Sequence, residues 1–300
     1  MRSARRFLSG IIDYAGLFPP ASLGMTDAVN AYAGYRAGPE SDLLGRFVLP
    51  AGRLGEFSAA ALDVLPRGED AEPWRLSVVA GSDSVPDREA ILQFNCSHWR
   101  GSDEGSAVCD AVEMPATDKQ SVADAIAFYP GFFQLFLEVK PGEDVDSVIG
   151  AMAGKRAAAK VRTGGVTSNS IPLPREVLRF IRECKRHAVP FKATAGLHHL
   201  VRAEYPLTYE PGSPASDMFG YLNVFLAAAF IDAGAGDDDA LAILEERDAS
   251  AFLFDEAGVT WRGMHLALEA LEKTRGDFAL SFGSCSFTEP VTEARELALV

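Results

Sequence analysis

The sequence predicts an α/β protein, a (β/α)8 TIM barrel with a long insertion after its seventh strand. Three observations carry this. Eight short apolar runs recur along the 300 residues. Amphipathic segments separate most of them. One connection, residues 197–278, is too long for an ordinary strand–helix–strand link.

The runs are "GIIDYAG", "GRFVLPA", "WRLSVVAG", "AVCDAVEMP", "QLFLEVKPG", "AAAKVRTGG", "PFKATAGL" and "FALSFGSCSF". Most end in Gly or Pro, which mark strand exits. Between them, "TDAVNAYAGYRAG", "LGEFSAAALDVL", "DREAILQF", "TDKQSVADAIAFY" and "PREVLRFIRECKRH" have the spacing of helices, several opening on a Thr, Ser or Asp suited to N-capping. The rival architecture is an open doubly wound sheet, but no GxGxxG follows the first run. A single barrel commonly takes about 250 residues, so 1–300 is expected to be one domain. Within it, 197–278 is expected to elaborate the barrel mouth. There, "HHLVRAEYPLTYEPGSPASDMFGY" reads as a loop and "FGYLNVFLAAAFIDAG" as a buried helix. "DDDALAILEERD" reads as an acidic helix, and "AFLFDEAGVTWRG" as a hairpin turning at Ala257–Gly258.

Composition narrows the function classes. The chain is 48% hydrophobic and 23% charged, as an ordinary globular protein is. A net charge of −14 argues against binding nucleic acid through its phosphates. Cys96, Cys109, Cys184 and Cys285 show no CxxC spacing, which fits reduced cytosolic thiols and gives no zinc signature. The opening "MRSARRFLSGIIDYAGLFPP" is basic and then apolar, like a signal peptide, but Asp13 interrupts it and no clean cleavage site follows. "FGYLNVFLAAAFIDAGAG" comes closest to a membrane span and is cut by Asn223 and Asp232. A cytoplasmic protein with no membrane partner is expected, and a homo-oligomer is left open.

Against that acidic background, inward cations are informative. Alternate strand residues share a face, and catalytic groups of such barrels sit at the C-terminal strand ends. In "QLFLEVKPG" one face carries Gln134, Phe136, Glu138 and Lys140; in "AAAKVRTGG", Lys160 and Arg162; in "PFKATAG", Lys192 and Thr194. The first run contributes Asp13, and the fourth contributes Asp110 or Glu113, on opposite parities. One buried lysine would read as an ion-paired structural group. Repetition on three neighbouring strands favours a site. Such a ring can hold an anion, with Arg162 gripping it bidentately. Alternatively, a lysine can act as a nucleophile once burial and a second cation lower its pKa. His198 is expected to face the cavity as an acid or base and its neighbour His199 to be exposed. The "GSCS" turn, 283–286, reads equally well as a phosphate cradle and as a plain turn. Cys285 reads as a small buried residue; "GLFPPASLG" reads by default as a rigid loop with no chemistry at Pro19–Pro20, and alternatively as a wall of the mouth with Phe18 covering the substrate.

The segments "KVRTGG", "FKATAGLHH" and "SFGSCSF" resemble, in order and barrel position, motifs of the deoxyribose-phosphate aldolases. These are Lys-x-x-Thr-Gly on the sixth strand, Phe-Lys with a Gly-containing turn on the seventh and Phe-Gly-x-x-Ser on the eighth. "IIDYAGL" and "CDAVEM" resemble that family's Ile-Asp-x-x-x-Leu and Asp-x-Val strands. The resemblance implies a class I aldolase that needs no metal or cofactor. It puts Lys160 at the Schiff-base position, Lys192 at the second lysine that lowers its pKa, and Asp110 at the proton relay. Thr163 belongs to the sixth-strand motif, and Gly196, Gly283 and Ser284 or Ser286 fall where the family binds phosphate. Arg162 departs from a small residue, which implies an extra acidic group on the substrate. The family's strand-five lysine matches neither Gln134 nor Lys140 securely.

The expected function is therefore a Schiff-base lyase acting on a small phosphorylated or carboxylated carbonyl compound. Lys160, Lys192, Asp110 and Glu138 would be catalytic. Asp13, Lys140, Arg162, Thr163, Thr194, Gly196, His198, Gly283, Ser284 and Ser286 would bind substrate. The alternatives are a non-covalent barrel enzyme (transferase, isomerase or metal-assisted hydrolase) and a non-catalytic binding barrel.

Overall fold

A computed structural model describes residues 2–142 and 144–300. Eight parallel strands close into a ring: β1 (Ile12–Tyr14), β2 (Leu44–Pro50), β3 (Trp74–Val79), β4 (Ala107–Pro115), β5 (Gln134–Glu138), β6 (Ala157–Arg162), β7 (Phe191–Thr194) and β13 (Ala279–Ser284). β13 pairs back onto β1, with Asp13 opposite Gly283. This is the (β/α)8 barrel that the apolar runs predict.

Helices follow the amphipathic segments. α2 (Met25–Ala37), α3 (Leu54–Ala61), α4 (Val85–Ser97), α5 (Lys119–Phe128), α6 (Val145–Gly150) and α7 (Pro174–Arg186) alternate with the first seven strands, and α11 (Thr288–Glu296) follows the last. Local chemistry caps two of them, α5 where the sequence places its cap and α4 three residues before the Asp87 that opens the segment read as its helix. The Ser84 side chain accepts from the Asp87 N–H, and Asp118 exchanges bonds with Ser121 in a capping box. A further helix, α1 (Arg2–Leu8), precedes β1 and buries Phe7 and Leu8.

Two layers fill the molecule. The outward faces of the strands pack on the helices in one large apolar cluster. Inside the ring a small plug of Ala111, Phe136, Ala158 and Leu280 separates the two ends of the barrel. Polar residues sit above and below it.

The insertion does more than cover the mouth. The stretch read as a loop contains a hairpin, β8 (Ala203–Pro206) and β9 (Ala215–Met218), which supplies Leu207 and Met218 to the mouth. Its Pro- and Gly-rich turn hid two short strands. Beyond it, α8 (Tyr221–Asp232) buries nearly every side chain, α9 (Asp237–Glu245) packs beside it, and α10 (Leu268–Asp277) leads into β13. The antiparallel sheet of β10 (Phe252–Phe254), β11 (Gly258–Trp261) and β12 (Met264–Ala267) packs against α1 instead of the mouth. The Ser3 hydroxyl fixes that contact by donating to the Gly258 carbonyl at 2.9 Å. Asn223, buried in α8, spends its polar atoms on the Arg202 N–H and the Ile243 and Glu246 carbonyls. Among the described residues, no helix is long and apolar enough to cross a membrane.

Candidate active site

A cavity of about 310 Å3 opens at the C-terminal ends of the strands, where barrels of this class keep their chemistry. Its floor is a buried charge cluster. Glu138, Lys160 and Lys192 come from adjacent strands in direct register, Glu138 opposite Lys160 and Lys160 opposite Lys192. Glu113 reaches in from β4 and Asp13 from β1.

The contacts form one chain of alternating charge. Lys160 Nζ lies 2.8 Å from Glu138 Oε2 and 2.9 Å from Glu113 Oε2. Lys192 Nζ donates to the other Glu113 oxygen at 2.6 Å and to Asp13 Oδ2 at 2.5 Å. Hydroxyls fill the remaining acceptor sites: Ser77 donates to Glu113 at 2.6 Å and Ser281 to Asp13 at 2.8 Å, while the Arg46 N–H donates to Asp13 at 2.7 Å. The Lys192 ammonium also lies 5.2 Å from the centre of the Phe136 ring, within cation–π range. Lys192, Asp13 and Glu113 are almost wholly buried, whereas the Glu138 side chain keeps 25% of its surface. Buried charges persist only when paired and bonded in this way.

Burial alone would lower the Lys160 pKa, but the charges of Glu113 and Glu138 outweigh it and raise the pKa above an ordinary lysine. The expected depression by Lys192 is thus reversed, because Glu113 stands between the two ammonium groups. The same geometry holds the Glu113 carboxyl well below the usual carboxylate range: burial opposes ionisation, and two lysines overcome it.

Arg162 stands at the rim, two residues along β6 from Lys160 and so about 7 Å away along the strand. It lines the cavity with its guanidinium near Gly165 and makes no ion pair or hydrogen bond among the described residues. The remaining wall is mostly apolar: Phe18, Pro19 and Pro20 from the loop after β1, Val48, Val79, Leu207 and Met218. The turns after β6 and β7 touch at Gly164 and Gly196, where a Cβ on Gly196 would come within 3.0 Å of the Gly164 Cα. Thr163 stitches these turns together by donating to the Ala195 carbonyl at 2.7 Å. Its hydroxyl is spent there and is not on the cavity wall.

His198 and Cys285 occupy one side, with Sγ 3.6 Å from His198 Nδ1 and 3.7 Å from Tyr209 Oη. Burial pushes the imidazole down to about 4 and the thiol up to about 11. Both are therefore neutral near pH 7, so the pair lacks the thiolate–imidazolium character of a cysteine nucleophile. His199 turns away, bonds Glu293 at 2.6 Å and stacks on Tyr205.

The cavity gathers Lys160, Lys192, Glu138, Arg162, Thr194, Gly196, His198 and Gly283. Six expected residues, Asp110, Lys140, Ser284, Ser286, Asp13 and Thr163, do not line it. Asp110 lies at the opposite end of the barrel, where its carboxylate binds Arg46 and Arg75. A bulge in β4 explains this: Leu76 pairs with Cys109 and Ser77 with Ala111, so Asp110 is the extra residue. The bulge also breaks the alternation that sets Asp110 and Glu113 as rivals, and Glu113 is the acid that joins the lysines. Lys140 is exposed beyond the end of β5 and does not line the cavity. The Ser284 hydroxyl is buried against the Ser286 carbonyl at 2.6 Å, and Ser286 bonds Thr288, so neither serine lines the cavity. Asp13 holds Lys192 from below without reaching the cavity wall. Ser77 and Ser281 escape sequence reading because a serine inside a strand has no distinguishing signal.

One grouping of metal-ligating side chains occurs among the described residues, Asp146, Glu183 and His187, on the outer helices α6 and α7. Arg186 already bridges Asp146 and Glu183 there. No protein-family model matches the sequence, and no curated protein matches it significantly. Among solved structures, the spore cortex-lytic enzyme SleL of Bacillus cereus aligns over 97% of this chain and 74% of its own, at 12% identity and a TM-score of 0.43.

Proposed function

We propose that this barrel is a class I aldolase-type lyase, which makes or breaks a carbon–carbon bond in a small anionic carbonyl compound through an imine on Lys160. The observation that supports this most is the position of Lys160: its Nζ lies on the floor of a substrate-sized cavity with a carboxylate on either side. A buried lysine held only for structure would not need to face open space.

The raised pKa of Lys160 bears on the first step. An ammonium cannot attack a carbonyl, so one proton must leave before the bond forms. Glu138, bonded to Nζ and partly exposed, accepts that proton and returns it to the carbinolamine oxygen, which leaves as water. Lysine ammonium and carbonyl thereby become a protonated imine and water, with one positive charge before and after. The carboxylates that hold the ammonium hold the iminium equally well. Glu138 then takes the proton from the substrate hydroxyl, and the electron pair of the breaking carbon–carbon bond moves to the iminium nitrogen. The neutral enamine is reprotonated at carbon and hydrolysed, which restores the ammonium. Lys192 fixes Glu113 by a shared bond and keeps the cluster in place. Arg162 takes a carboxylate or phosphate at the rim. Its spacing from Lys160 suits a short carbon chain between the anionic group and the carbonyl.

Deuterium exchange tests the chemistry. With pyruvate as the probe in D2O, reversible enamine formation on Lys160 washes deuterium into the methyl group, and Lys160→Arg stops it. Exchange that survives in Lys160→Arg, or no exchange with any small keto acid or aldehyde, overturns the proposal.

The raised pKa also favours a second reading. Lys160 stays as an ammonium group and, in a non-covalent barrel enzyme, hydrogen-bonds a phosphorylated or dicarboxylic substrate beside Arg162. Activity retained in Lys160→Arg identifies that case, because arginine keeps the charge but cannot form the imine.

A further inference from the structure

The opposite end of the barrel holds a second and larger cavity, of about 840 Å3, at the N-terminal ends of the strands. Five arginines line it: Arg36, Arg46, Arg75, Arg156 and Arg275. In a protein with 28 basic and 42 acidic residues, so many guanidiniums around one concavity is a marked reversal of the overall charge.

The carboxylates nearby do not balance them. Arg46 and Arg75 share the single carboxylate of Asp110. Asp13, on the inner wall, is bonded to Lys192 and its charge is also shared between Arg46 and Arg275, and Asp42 is paired with Arg5. Glu72 is the one other acid on the wall among the described residues. Arg36, Arg156 and Arg275 make no ion pair among the described residues. Arg275 instead donates to the backbone carbonyls of Phe7, Ser9, Ala279 and Leu280, and Arg156 to that of Gly131. Backbone acceptors fix the direction of a guanidinium without cancelling its charge, so the excess positive potential is held in place.

Like charges fixed around a concavity repel one another unless an anion sits among them, and guanidiniums are the groups that match phosphate and carboxylate oxygens bidentately. Phe132, 55% exposed, stands on the rim of the same cavity. We propose that this N-terminal cavity binds a small molecule carrying two or more anionic groups, of which a diphosphate is the simplest, at a site separate from the lysine cavity. The apolar plug of Ala111, Phe136, Ala158 and Leu280 lies between the two. The proposal is independent of the chemistry assigned to Lys160.

Calorimetric titration with inorganic pyrophosphate at low salt tests it, with three forms of the full chain. Arg75 and Arg156 are both exposed, and Arg46 still holds Asp110 when Arg75 is lost, so R75Q/R156Q is expected to fold; an unchanged thermal midpoint checks this. The wild type binds pyrophosphate, R75Q/R156Q loses at least about tenfold in affinity, and R162A, which removes the free cation of the other cavity, changes it less than twofold. Loss of binding in R162A with retention in R75Q/R156Q places pyrophosphate in the lysine cavity and overturns the proposal. No binding to the wild type overturns it as well.

Discussion

A carboxyl group bonded to two ammonium ions gives up its proton far more readily than one in water, and Glu113 is such a group. Its pKa is lower in the folded chain than in the unfolded one. The stability it contributes is therefore complete above the unfolded value, about 4.3, and is lost as pH falls toward the folded value. Glu113→Gln leaves two lysines with fewer counter-charges and is expected to cost roughly 3 kcal/mol at pH 7, with the cost shrinking in acid; urea unfolding from pH 7 to pH 3 measures both. His198 has a separate window. Folded, it stays neutral down to about 4, while the unfolded imidazole protonates near 6.5. Stability thus falls as pH drops from 6.5 to 4, by roughly 3 kcal/mol. In His198→Gln that part of the pH profile flattens, and an unchanged slope removes His198 as its source.

At the scale of elements, two turns and one bulge decide what the cavity contains. Gly196 has φ +75 and sits against the Gly164 backbone, whereas Gly10, φ +60, has open space around it. Gly196→Ala combines left-handed strain with a close contact and is expected to cost about 2 kcal/mol or more, against about 1 kcal/mol for Gly10→Ala. Equal losses in chemical denaturation would show that the contact with Gly164 does not matter. The strands and most of the flanking helices were legible because apolar runs ending in Gly or Pro alternate with helical periods. Strand parity correctly brought Glu138, Lys160 and Lys192 together. The same parity rule failed in β4, where Asp110 occupies a bulge that no residue pattern announces. It also carried Lys140 past the end of β5. The β8–β9 hairpin was hidden because its Pro- and Gly-rich turn is as long as its two four-residue strands together.

At the scale of the whole molecule, the closed ring turns a linear pattern into a radial one. Residues far apart in sequence, Asp13 and Lys192 among them, become bonded neighbours. The apolar plug then divides the interior into two polar ends of opposite design. The C-terminal end pairs its lysines closely and leaves Arg162 at the rim without an ion pair among the described residues; the N-terminal end carries guanidiniums in excess. A net charge of −14 repels anions at a distance, so recognition of the anionic carbonyl compound proposed as substrate rests on these local cations. Borohydride reduction decides whether the imine proposed on Lys160 forms. With pyruvate present, sodium borohydride is predicted to fix the mass of the reduced adduct on the peptide containing Lys160 in the wild type, and to leave that peptide unmodified in Lys160→Arg. An adduct on some other lysine, or no adduct with any small keto acid or aldehyde, would contradict it.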